Sequence, residues 1–115
     1  SIGGCLSYIA DIPPLKGIPG TTMAVVGSSV ATVLADAIKY SSGQSSSTRA
    51  ATVVIYIETA DIRIAYGVAP VPATPFGYPI VANKYLVLDL WEEIDTIQII
   101  RNDAVDANLT VTAYF

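Results

Sequence analysis

The chain has 115 residues, 52% of them hydrophobic and 14% charged, with ten acids against six bases for a net charge of −4. That length suits one domain able to bury its own core without metal or disulfide support, and the charged fraction lies well under the roughly 25% usual for soluble domains. The absence of histidine excludes Cys/His zinc sites and histidine-activated nucleophiles, the single cysteine, Cys5, excludes an internal disulfide, and an acidic balance without a basic cluster argues against nucleic acid.

So few charges on so small a domain point to apolar surface covered by other chains. No apolar run reaches the roughly 18 residues of a membrane helix, so no membrane partner is expected. The N-terminus lacks the basic region of a secretory signal, and synthesis in a cytoplasm without export by that route is the expectation.

Residues 1–20, SIGGCLSYIADIPPLKGIPG, carry no period that survives their prolines. Proline fixes φ and removes a ladder donor, so the stretch reads as an extended arm rather than a central strand. Leu6, Tyr8, Ile9, Ile12, Leu15 and Ile18 are its candidate contact residues, either docked on a neighbouring subunit or covering a sheet edge. Residues 21–115 then form the domain proper.

In TTMAVVGSSVATVLADAI the β-branched residues Val25, Val26, Val30, Thr32 and Val33, interrupted at Gly27, predict strands near residues 22–26 and 30–35. The serine-rich segment 39–50 predicts an exposed, mobile hairpin tip or inter-sheet connection. In ATVVIYIET, Ala51, Val53, Ile55 and Ile57 share one face, which predicts a core-facing strand. After Thr59-Ala60, the alternation of Ile62, Ile64 and Tyr66 with Asp61, Arg63 and Ala65 predicts a second strand, paired antiparallel with the first as a hairpin. Arg63 is expected to pair with Asp61 or Glu58.

Residues 67–79 read as a proline-stiffened loop that buries Phe76 and Tyr78. Further strands are predicted at residues 84–90, 96–101 and 107–115, with LWEEID as a turn shoulder beside Trp91. The sum is about seven or eight short antiparallel strands in a single all-β sandwich, jelly-roll or Ig-like, with an N-terminal arm.

No constellation for chemistry emerges. Glu58 with Asp61, and Glu92 with Glu93, are the only close acid pairs, and neither converges with a third polar group. Asn102, Asp103, Asp106 and Asn108 have calcium-type atoms but lack the glycine and terminal bidentate acid of an EF-hand, and they read as a turn. The expectation is no enzyme, no metal and no cofactor. Tyr56, Tyr78, Tyr85, Trp91 and Tyr114 are aromatic candidates for stacking on sugar rings.

The segments ETADIRIAYGVAPVPATPFGYPI and IQIIRNDAVDANLTVTAYF together resemble small virion proteins of tailed bacteriophages. Shared features are a strand ending in Glu-Thr, an Ile-Arg, a Gly-x-x-Pro loop, a second Gly before an apolar strand, an Ile-x-x-Ile-Arg strand and a closing Leu-x-Val-Thr-x-Tyr/Phe. The resemblance spans residues 49–115; the prolines of the loop and the arm at residues 1–20 depart from it. It implies a capsid decoration or cement protein that binds the major capsid protein lattice, forms homo-oligomers, and sits in the virion, on the capsid surface rather than the tail. The alternatives are a neck or tail adaptor and a carbohydrate-binding host-attachment module.

Overall fold

Alternating apolar residues from strands distant in sequence meet across the space between two antiparallel sheets. The computed structural model describes residues 8–10, for the backbone, together with residues 21–71 and 76–115. Its strands are β1 (Tyr8–Ala10), β2 (Thr21–Gly27), β3 (Thr32–Val33), β4 (Thr52–Glu58), β5 (Ile62–Tyr66), β6 (Tyr78–Ile80), β7 (Tyr85–Leu88), β8 (Ile97–Arg101) and β9 (Ala107–Tyr114). One sheet is ordered β1-β7-β4-β9-β2 and the other β3-β8-β5-β6. The fold is an all-β sandwich.

The core lies between the layers. Val53, Ile55 and Ile57 of β4, Leu86 and Leu88 of β7, and Leu109 and Val111 of β9 meet Ile62 and Ile64 of β5 and Ile97 and Ile99 of β8. Each such side chain contributes about 1.5–3 kcal/mol on leaving water. The period-2 reading of β4, β5 and β9 is met at most positions, but Ala65, expected on the polar face of β5, is buried, and Phe115, expected on the apolar face of the last strand, follows β9 and is exposed. Ala51 departs from it, since it precedes β4 and is exposed.

The connection between β4 and β5 corrects the expected hairpin. β4 is an interior strand whose two hydrogen-bonding edges are taken by β7 and β9, so β5 cannot pair with it and instead joins β8 and β6 in the opposite sheet. The turn itself steers the chain out of the sheet. Thr59 adopts φ 65°, and Ala60 N donates to Glu58 O at 2.7 Å, a bond spanning three residues as in a γ-turn. Of the connections from β2 to β9, only β5 to β6 stays within one sheet; all the others cross between layers.

Three shorter departures share a cause, local helix or edge structure competing with strand pattern. The strand expected over residues 30–35 contracts to β3, because α1 (Asp36–Lys39) follows, where Ala35, Ala37 and the buried pair Leu34 and Ile38 suit one helical turn. LWEEID is not a turn shoulder but holds most of α2 (Trp91–Thr96), pinned by fully buried Ile94 and started by Ile94 N donating to Leu90 O at 3.0 Å. β6 takes the last two residues of what was expected to be a loop, and its Pro79 is tolerated because β6 is an edge strand.

Residues 39–50 connect α1, which lies against β2 and β9 of the five-stranded sheet, to β4 of the same sheet. Their tip is closed by a bridge between Tyr40 and Arg49 and by Ser41 N donating to Thr48 O at 2.8 Å. Residues 8–10 extend the five-stranded sheet, with Tyr8 opposite Val87, Ile9 opposite Leu86 and Ala10 opposite Tyr85. Residues 8–10 of the arm therefore contribute a strand to the sandwich.

Candidate functional site

The charged corner that interrupts the apolar runs of β4 and β5 is occupied by local structural bonds. Glu58 Oε2 accepts from Thr110 Oγ1 at 3.0 Å, and Asp61 Oδ1 accepts from Ala82 N at 2.8 Å. Arg63 Nε donates to Asn102 Oδ1 at 3.0 Å and its NH1 donates to Gly77 O at 3.1 Å. These bonds stitch β5 to the β6 side and to the β8–β9 connection. The turn reading of residues 102–108 gains the same support, since Asp106 Oδ1 takes Arg101 NH1 at 2.8 Å while Asn102 takes Arg63. Among the described residues no group of three or more His, Cys, Asp or Glu side chains is placed to hold a metal ion.

Of the arm residues, Tyr8 and Ile9 lie on the edge of β7 through the backbone of β1. That is the edge-covering placement for these two positions. Leu6, Ile12, Leu15 and Ile18 lie outside the described residues.

Two surfaces stand out. The first is the β5–β6 connection, where Phe76 and Tyr78, expected to bury themselves, are instead 64% and 65% exposed. Val68 and Val71 beside them are exposed too. Val71 N donates to Phe76 O at 3.2 Å, which brings the two ends of the connection together. Val68 and Tyr78 share with Ala65, Tyr66 and Gly77 a shallow hollow of about 370 Å³ without a charged lining residue. The expectation failed because Phe76 precedes β6 and Tyr78 opens it at the edge of the four-stranded sheet, with only Ile80 of that strand reaching the core. The signal for exposure was present in composition: low overall charge has to appear somewhere as apolar surface.

The second surface lies on the outer face of the five-stranded sheet. Of the five aromatic residues suggested as stacking platforms, the register brings Tyr56, Tyr85 and Tyr114 around one concavity of about 260 Å³, completed by Val54, Thr110 and Thr112. Tyr78 belongs to the other hollow. Trp91 sits with Tyr40 at 5.4 Å between ring centroids, and the Arg49 guanidinium covers its ring at 4.7 Å, so cation–π packing occupies it.

Comparison with protein-family models, curated proteins and solved structures gave no match. The functional reading therefore rests on these two surfaces and on the chain's own chemistry. Among the described residues no helix is long and apolar enough to cross a membrane.

Proposed function

We propose that the chain is a non-catalytic structural protein of a tailed-bacteriophage virion, a capsid decoration or cement protein that binds the major capsid protein lattice and self-associates on it. The observation that carries this reading is the exposed apolar cluster of Val68, Val71, Phe76 and Tyr78 on the β5–β6 side. Burying such a patch against a partner gives roughly 25 cal/mol per Å² of apolar area, and its lack of charge removes the desolvation cost that would oppose docking. The scarcity of charge across the chain and the resemblance of residues 49–115 to small phage virion proteins point the same way.

In this reading the sandwich supplies a rigid body and the arm a second grip. Residues 8–10 anchor the arm on its own sheet, while Leu6, Ile12, Leu15 and Ile18 reach neighbouring subunits in the lattice. The acids near the β4–β5 corner serve the fold. Replacing Leu6, Ile12, Leu15 and Ile18 together with serine, which spares β1, and counting copies on purified particles by quantitative mass spectrometry tests the arm. Reduced occupancy is expected, and unchanged occupancy overturns its role as a tether.

A further inference from the structure

We propose that the outer face of the five-stranded sheet binds a neutral oligosaccharide in the concavity centred on Val54. The register builds this dish. Val54 stands opposite Val87 on one side and Thr112 on the other; one row along, Tyr56 stands between Tyr85 and Thr110; one row the other way, Thr52 stands opposite Tyr114. Val54, 5% exposed and outside the interlayer core, gives the concavity an apolar floor, while its neighbour Val87, 0% exposed, does not line it. Tyr56 and Tyr85 wall one end with ring centroids 4.7 Å apart, and Tyr114 stands at the other.

The rise of about 3.4 Å per residue separates those two ends by about 13 Å along the strands, room for a short oligosaccharide lying along β9. Tyrosines on strands commonly do no more than pack across strands, as Tyr56 and Tyr85 do here. Tyr114 is different, because the small side chain of Val54 separates it from that pair and leaves the volume between them open.

The lining suits a sugar's two-sided chemistry. Phenol rings match the C–H face of a pyranose, and hydroxyls that both donate and accept match its rim. Thr110 Oγ1 donates to Glu58 Oε2 at 3.0 Å, which leaves its lone pairs to accept from a ligand hydroxyl. Thr112 Oγ1 shares a 3.0 Å hydrogen bond with Thr22 Oγ1, and Tyr56 OH donates to Asn83 Oδ1 at 3.4 Å, which orients the ring. Charge sets the selectivity: among the described residues no basic side chain lines the dish, Glu58 stands beside it and the chain carries −4, so sialylated, sulfated or phosphorylated glycans are disfavoured. The site stands apart from the apolar β5–β6 cluster, which belongs to the other sheet, and its fate is independent of particle binding.

A glycan array carrying neutral and acidic oligosaccharides, probed with the full chain, is the first test, followed by NMR titration with the strongest neutral binder. Neutral glycans are expected to bind and to shift the amides of Tyr85, Thr110, Thr112 and Tyr114. Tyr85→Ala and Tyr114→Ala should each weaken binding about tenfold, the equivalent of about 1.4 kcal/mol. If either variant fails to fold, the amide map of the unmodified chain decides. An array silent for neutral glycans, a preference for acidic ones, or shifts confined to another surface overturns the proposal.

Discussion

The backbone N–H of Asn108 donates to the Thr59 hydroxyl across 3.1 Å, tying the start of β9 to the corner where β4 leaves its sheet. The same hydroxyl donates to Glu58 O at 2.6 Å, so one side chain links the turn to two strands of the sheet it departs from. This explains a β-branched residue at φ 65°, a conformation unfavourable for threonine. Thr59→Val keeps the backbone strain and removes these two bonds and a longer one to Asp106 O at 3.5 Å, and should cost about 1–2 kcal/mol in urea unfolding. Thr59→Gly, which relieves the strain, should cost less. Equal stability of the valine variant and the parent would show that the hydroxyl link is inert.

Two glycines with positive φ separate backbone preference from crowding. Gly67 at φ 77° has nothing within 4 Å of where a Cβ would stand, whereas at Gly77, φ 101°, a Cβ would lie 2.7 Å from Ile64 O and 2.8 Å from Pro70 Cβ. Gly67→Ala should therefore cost about 1–2 kcal/mol, the conformational penalty alone. Gly77→Ala should cost clearly more and disturb β6, since Ile64 and Tyr78 are paired there. Matched thermal melts would contradict this if the two losses were equal.

Lys39 is the buried cation among the described residues, its side chain 11% exposed, and its Nζ reaches Asp95 O at 3.1 Å and Oδ1 at 3.2 Å. Asp95 is 47% exposed and keeps much of its hydration. Loss of the two partners should then be unequal. Lys39→Met preserves the packing and leaves an acid that water can solvate, for a change within about 1 kcal/mol, while Asp95→Ala removes the counter-charge, leaves the buried ammonium on the carbonyl of residue 95, and should cost about 1–3 kcal/mol. A chemical denaturation series showing the reverse order would refute this account of the α1–α2 link.

The facing of β4 predicts the most severe single change. Ile55 is fully buried between the sheets, and Ile55→Asp places an unpaired charge there. No folded protein is expected by circular dichroism or one-dimensional NMR, whereas Ile55→Val should lose only about 0.5–1.5 kcal/mol. A cooperatively melting Ile55→Asp protein would mean that β4 faces the other way.

Period-2 alternation made β4, β5, β7 and β9 readable because each has one face on the interlayer core, where a slip of one residue would expose every isoleucine. Partner choice was less readable. Thr59-Ala60 between two alternating runs suggested a hairpin, yet the pair lacks the Asn-Gly or Gly-x chemistry that a two-residue hairpin loop needs, and that omission was the available sign of an arch. Long-range pairing, such as Ile55 with Val111, carries no local signature at all. The candidate surfaces divide similarly. Tyr56, Tyr85 and Tyr114 could be chosen by residue type, but only the β7-β4-β9 order brings them together, and the exposure of Phe76 and Tyr78 follows from their places before and at the start of the edge strand β6.

Cosedimentation of the full chain with capsid shells of tailed bacteriophages tests the proposed role most directly, with a folded Phe76→Asp variant alongside. The proposal predicts saturable binding by the parent chain and about tenfold or greater weakening by Phe76→Asp, with unchanged melting because Phe76 is 64% exposed. Failure of the parent chain to bind any shell, or equal binding by the variant, would contradict it.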